Sequence, residues 1–382
     1  MAWKGSVEEQ RAEFLAEFTA PGANRRAVCR AWGVSAKTAY KWLARGREEG
    51  DQGLRDRSRR PEQSPSRTDE RMEARIVEAR RRHPAWGGRK IAALLEREGV
   101  EGVPHPSTIT GVLRRAGCLG EVVKRAWKVE RFEREKPNEL WQMDFKGHFA
   151  VGDGTRCHPL LVLDDHSRYC VGAEACQDER SGTVEAALTG IFRRYGLPES
   201  MLMDNGAPWG RDPRQGHTRL ELWLIRLGIV VLHGRPRHPQ TQGKLERLNR
   251  TLGAEVLAGC GSVASCAAMQ PELDRWRPVY NGVRPHEALE MQVPASRYEA
   301  SGRALPEKLP PIEYEEGDAV RRVQKGGWIN YRGREYRLSR GLAGSPVAIR
   351  PSEGEAEAAV YFCSARIAVL DERTGQTRPW RK

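Results

Sequence analysis

The chain has 382 residues, 39% hydrophobic and 30% charged, which is too apolar for a disordered chain and too polar for a membrane protein. Lys plus Arg number 64 against 51 for Asp plus Glu; residues 1–137 carry 30 basic and 20 acidic residues, the remainder 34 and 31. A basic excess gathered in the first third points to an anionic partner, and nucleic acid is the expected one, since nothing reads as a membrane-surface helix.

No run approaches the roughly 20 apolar residues that span a bilayer. The first fifteen residues lack the apolar stretch of a signal peptide, so no membrane partner and a cytoplasmic location are expected. Eight cysteines are scattered without CxxC spacing, which excludes a zinc ribbon and reads as buried, reduced thiols.

In chain order, residues 8–19 read as a helix with Phe14, Leu15 and Phe18 as its apolar positions. Asn24 caps a helix over 25–32, Gly33 ends it, and Ser35 caps another from 36 to about 45. Two short helices joined by a glycine turn predict a helix-turn-helix domain over 1–49. Val28, Trp32, Val34, Ala39, Trp42 and Leu43 would close its core. Lys37, Lys41 and Arg45 recur every four residues, so they share a helix face able to meet phosphates and base edges.

Residues 50–68, rich in Arg, Ser, Pro and Gly, are expected as a basic linker. Helices over 69–82, 88–98 and 107–115 predict a second helix-turn-helix or winged-helix module at 69–117, with Arg114 and Arg115 as DNA contacts. A charged connector, helical in part, fills 118–137.

The pattern changes near Leu140. Strands are expected over 143–151, 158–165 and 168–177, and a helix over 181–195. A strand at 200–203, a helix at 218–227, a strand at 229–233 and a helix at 241–258 follow. That order fits a mixed five-stranded sheet with helices packed on it. A further helix is expected over 262–280, then a proline-rich stretch, then short strands over 312–375 as a small β-barrel.

Three carboxylates stand out. Asp144 lies in an apolar strand, where an acid is costly unless paired or bound to metal. Asp204 ends the fourth strand, and strand ends at a crevice are where sites gather. Glu246 lies about 100° from the centre of the stripe formed by Leu245, Leu248, Leu252 and Val256, at the edge of the core. Oxygen ligands without a cysteine or histidine cluster suit Mg²⁺ or Mn²⁺. Two such ions roughly 3.5–4 Å apart activate the attacking oxygen of a phosphodiester reaction and stabilise the leaving one. Asp144 would bridge the ions, with Asp204 on one and Glu246 on the other.

The segments WQMDFKG, LVLDDHSRY, MDNGAPW, HPQTQGKLERLNRTL, YNGVRPHEAL and PASRY stand in this order across most of 138–298. In them the chain resembles the bacterial insertion-sequence transposases that share the retroviral-integrase (DDE) catalytic core. The resemblance implies a ribonuclease-H-like fold for 138–298, with Asp144, Asp204 and Glu246 at the positions of the metal-binding acids. It implies cleavage of the element's ends by water, then attack of the freed 3′-hydroxyl on target DNA. The partners implied are double-stranded DNA, as element inverted repeats and target, and further copies of the chain on that DNA, in the bacterial nucleoid.

Gln242, Asn249, Arg250 and Gly253 share the side of Glu246, with Gln242, Lys244 and Arg250 expected to contact DNA. The interval from Asp204 to Glu246 is longer than retroviral integrases use, with 209–217 as the extra loop, and the retroviral amino-terminal zinc module is absent. Asp165-His166-Ser167-Arg168 reads as a hairpin turn rather than a catalytic group. The competing readings are a catalytically inactive DNA-binding regulator on the same scaffold and a structure-specific nuclease.

Overall fold

The computed structural model describes residues 6–57, 68–119, 133–206, 208–209, 216–234, 243–259, 263–352 and 356–380. The chain divides into two compact units, Met1–Arg67 and Thr68–Lys382.

The first unit is built from α1 (Val7–Thr19), α2 (Arg25–Ala31) and α3 (Ala36–Glu49). Ser6 and Glu9 form a reciprocal capping box on α1, and the side chains of Asn24 and Ser35 accept the Ala27 and Thr38 amides at 3.2 Å. Phe14, Phe18, Cys29 and Ala39 are buried under Trp32 and Trp42, whose rings meet Phe14 edge-on. α3 runs one turn past the expected end, and the expected linker begins later. Gly50–Leu54 folds back as a 3₁₀ turn, Leu54 is buried, and Arg11 donates to its carbonyl at 2.6 Å. The turn passes so close to α3 that a Cβ on Gly53 would meet the Arg45 carbonyl oxygen at 2.4 Å.

The second unit opens with α4 (Glu70–Arg82), α5 (Gly88–Arg97) and α6 (Pro106–Arg115) around Ile76, Trp86, Ile91, Leu95, Ile109 and Leu113. Among the described residues no strand joins these helices. The expected connector helix lies largely outside the described residues.

The central sheet contains β1 (Trp141–Phe145), β2 (Phe149–Ala150), β3 (Arg156–Asp164), β4 (Cys170–Cys176), β5 (Ser200–Met203) and β6 (Val230–His233). Its order is β4-β3-β1-β5-β6, antiparallel over the first three and parallel over the last three. The single strand expected over 143–151 is two: Gly147 takes a φ of +86°, and the two-residue β2 pairs on β3 beyond the end of β1. Alternation sends Leu160 and Val162 to one face, under α7 (Ser181–Tyr195) and α8 (Arg219–Arg226). Leu161 and Leu163 point to the other, under α9 (Gly243–Leu252) and α10 (Cys266–Gly282). Residues Gly253–Leu257 continue α9 as a π turn.

The expected carboxy-terminal barrel is not closed. β7 (Ala319–Arg322), β10 (Pro346–Pro351), β11 (Glu357–Phe362), β12 (Ala365–Asp371) and β13 (Gln376–Pro379) form an antiparallel sheet ordered β13-β12-β11-β10-β7. Among the described residues the β8 (Trp328–Tyr331) and β9 (Arg334–Arg337) hairpin pairs only with itself. Side chains span the gaps instead, Arg321 reaching the Asn330 carbonyl at 3.1 Å and Arg334 the Arg373 carbonyl at 3.1 Å. Among the described residues no helix is long and apolar enough to cross a membrane. The described cysteines are all free thiols, and five of them are buried.

Candidate active site

Strand register brings two of the three acids together. In the parallel β1–β5 pair Trp141 stands beside Met201 and Gln142 beside Leu202, so the same offset sets Asp144 level with Asp204, just past the end of β5. α9 crosses beside them, and Asn249 Nδ2 lies 3.4 Å from Asp144 Oδ2. Burial, and then the like charge of Asp204, push the Asp144 carboxyl up to about 6; the Phe145 amide and Asn249 pull the other way, and Glu179 adds a further like charge. Glu179 was not anticipated: it precedes α7, is held by His158 at 2.9 Å, and no local pattern ties it to acids on other elements.

Glu246 is exposed, one turn before Asn249 on the same helix. Among the described residues no three such side chains close around one point that could hold an ion. Two carboxylates level with each other, one driven toward protonation by burial and then by the other's charge, are a donor set that suits a hard divalent ion. Glu246 is separated from Asn249 by about 4.5 Å of helix rise, within the sweep of a glutamate side chain.

The Asp204 turn is tied down on both sides. Its Oδ1 accepts the Gly206 amide at 2.9 Å and the Trp209 indole N–H. Its main-chain carbonyl lies 3.0 Å from His233 Nδ1, and Asn205 donates to the Gly234 carbonyl at 2.7 Å. His233 Nε2 lies 3.5 Å from Glu221, which is fully buried on α8, and Glu221 lies 2.9 Å from His217 Nδ1. Trp209 and His217, at the two ends of the expected extra loop, are both buried, Trp209 against the core and His217 against the carboxy-terminal sheet. A tryptophan and a histidine beside the DNG turn were the available signal.

The expected DNA contacts fare unevenly. Lys37 and Lys41 are exposed on α3, while Arg45 is partly buried. Arg114 is exposed and Arg115 is ion-paired with Glu73. Arg250 is exposed on α9. Lys244 instead turns its ammonium to Asp165 at 2.6 Å, so its charge is already neutralised inside the fold. Gln242 lies outside the described residues. Asp165–Arg168 forms the β3–β4 turn, with Asp164 accepting the Ser167 amide at 2.8 Å and Arg168 at a φ of +62°. In the β8–β9 hairpin Tyr331 and Tyr336 are core residues, whereas Trp328 is exposed with Arg337 over its ring.

Residues 134–239 and 227–294 match two descriptions of the integrase core domain, and residues 318–378 match the C-terminal domain of the IS481 family of transposases. The chain belongs to the bacterial insertion-sequence transposases with an integrase-like core. Upstream, residues 10–62 of this transposase match a helix-turn-helix domain and 38–113 a homeodomain-like domain. It is 28% identical over 248 residues to the insertion element IS407 31.7 kDa protein of Burkholderia multivorans, covering 63% of this chain and 84% of the relative. It is 26% identical over 248 residues to the IS476 39.2 kDa protein of Xanthomonas euvesicatoria, covering 63% and 67%. A structural likeness is to the HTLV-2 integrase catalytic core domain in complex with magnesium, at 15% identity and a TM-score of 0.33, covering 43% of this chain and 99% of that one.

Proposed function

We propose that this transposase cleaves the ends of its insertion sequence and joins the freed 3′-hydroxyls to target DNA, with Asp144, Asp204 and Glu246 holding Mg²⁺ or Mn²⁺ as two ions. The observation that carries the reading is the pairing of Asp144 with Asp204 across β1 and β5, beside the helix that carries Glu246. The ions, when bound, supply Lewis acidity to the phosphodiester and to the attacking oxygen. The chain's own part is to orient. Asn249 steadies Asp144, and Gly206 and Trp209 steady Asp204. In the first step water attacks phosphorus and the bond to the 3′ oxygen of the element's end breaks, leaving a 3′-hydroxyl. In the second step that hydroxyl attacks a target phosphorus, and the target's own 3′ oxygen departs with a proton. No covalent bond to the protein is required.

The helix-turn-helix elements, through Lys37, Lys41 and Arg114, would bind the inverted repeats, with at least two copies of the chain holding two ends in the nucleoid. The test is joining of end-bearing duplexes by Asp144→Asn, Asp204→Asn and Glu246→Gln. Each variant should fold, bind ends in a gel shift and lose joining. Joining retained in all three removes the assignment. One observation favours a DNA-binding regulator instead: Glu246 is exposed rather than closed on the pair. End binding by the unaltered chain with no metal-dependent chemistry would decide for that reading, and cutting without joining would decide for a nuclease.

A further inference from the structure

The sixth residue after β5 is a tryptophan, Trp209, to which the proposed chemistry gives no more than a steadying bond. Trp209 is 2% exposed. Its ring lies parallel to Phe145, with centroids 5.2 Å apart and planes at 14°. Phe145 directly follows Asp144 on β1. The indole N–H of Trp209 donates to Oδ1 of Asp204. One side chain therefore touches both acid-bearing strands, by stacking on the first and by a hydrogen bond on the second.

The carboxylate of Asp204 is consequently asymmetric. Oδ1 takes two N–H donors, from Gly206 at 2.9 Å and from Trp209, and among the described residues Oδ2 takes none. Gly206 guards the free oxygen: a Cβ there would lie 3.1 Å from Oδ2 and 3.3 Å from Oδ1, tighter than an ordinary contact. A carboxylate held this way cannot rotate freely, because turning it breaks two hydrogen bonds to a charged acceptor. It presents one oxygen, in one direction, beside Asp144.

We infer that Trp209 is a positioning residue that locks Asp204 into single-oxygen coordination of a divalent cation, with Phe145 as its stacking support. The inference rests on the assignment of Asp204 as a cation ligand and adds what sets its geometry. A buried polar donor aimed at a ligand's second oxygen fixes both the orientation of the ligand and its basicity. Packing alone would be met by any large apolar side chain at 209, whereas this role needs the indole nitrogen.

Trp209→Phe separates the two roles, since it keeps an aromatic ring over Phe145 and deletes the N–H. In the full-length chain without DNA, Mn²⁺ binding is read by calorimetry and by the rise in melting temperature on adding Mn²⁺. End joining is read against Mg²⁺ concentration, and end binding by gel shift in EDTA. The expected result is about a tenfold weaker cation half-saturation in both cation readouts, partial recovery of joining at high Mn²⁺, and unchanged end binding. A folded Trp209→Phe that binds Mn²⁺ as the unaltered chain does overturns the inference. If Trp209→Phe does not fold, Gly206→Ala decides, because it presses on the same carboxylate from an exposed turn without touching the core. Weakened cation binding in that variant supports the inference, and cation binding equal to that of the unaltered chain overturns it. Asp204→Asn is measured alongside. If that variant keeps full cation binding and joining, the assignment of Asp204 itself fails, which is a different result from an inert Trp209→Phe.

Discussion

Asp144 illustrates how one side chain is set by its neighbours. Burial and the adjacent Asp204 carboxylate lift it to about 6, so the folded state disfavours its charged form. The sign follows from linkage. Below the unfolded value near 3.8 the group is protonated in both states and costs nothing. Between there and about 6 the unfolded chain ionises first, and the penalty grows; above about 6 it is complete. Allowing for partial solvent screening, it amounts to about 1–2 kcal/mol at pH 7–8. Asp144→Asn should therefore raise the melting temperature of the protein in EDTA by a few degrees at pH 8 and by much less at pH 4, while abolishing joining. Equal melting of the two proteins at pH 8 would show that Asp144 does not carry this strain. A residue that weakens the apo fold and is retained for chemistry is the pattern expected of a reaction centre.

Among the elements, α9 and its π turn do two jobs. The leucine stripe of α9 packs on the sheet and presents Asn249 to Asp144 on β1, with Glu246 exposed one turn earlier on the same helix. The π turn then directs Glu255 to three donors: Trp86 Nε1 at 3.0 Å, Trp276 Nε1 at 2.9 Å and Arg284 Nε at 2.7 Å. Trp86 belongs to the helical module of α4–α6, so this carboxylate is where that module is fastened to the core. Arg97 adds a bond to the Val283 carbonyl at 2.9 Å. Both Glu255 and Arg284 are nearly buried. Glu255→Ala leaves a buried guanidinium and two indole donors without their acceptor, and should cost about 2–4 kcal/mol. Urea unfolding should show a lower midpoint. A loss below about 0.5 kcal/mol, within the range of an unremarkable surface change, would mean that the helices are held by apolar packing alone.

At the scale of the whole molecule, the first unit is an independent compact body with its own core. Removing residues 1–67 should leave the remainder folded, with the melting behaviour of its sheet unchanged. The truncated chain should bind duplex DNA less steeply with salt, the slope of log affinity falling by roughly 2–3 if Lys37, Lys41 and Arg45 each meet a phosphate. An unchanged slope would take those three residues out of the DNA interface. The second unit cannot be divided in the same way, because α4–α6, the central sheet and the carboxy-terminal sheet share side chains: Trp86 with Glu255, and His217 with the carbonyl of Ile367.

Much of this was readable along the chain, because the signals involved are local. Caps at Asn24 and Ser35, the β3–β4 turn at Asp164–Arg168, the leucine stripe of α9 and the apolar runs of β3 and β4 each depend on neighbours a few residues away. The order of strands and helices, and with it the mixed sheet, follows from those signals. Tertiary structure alone decided what depends on residues far apart in sequence. It broke the first strand at Gly147, left the carboxy-terminal sheet open, and turned Lys244 inward to Asp165. It also buried Trp209 and His217 around the Asp204 turn. The reason is physical. A side chain's hydrogen bonds and burial are set by whichever element packs over it, and that partner can lie a hundred residues away with no trace in the local pattern.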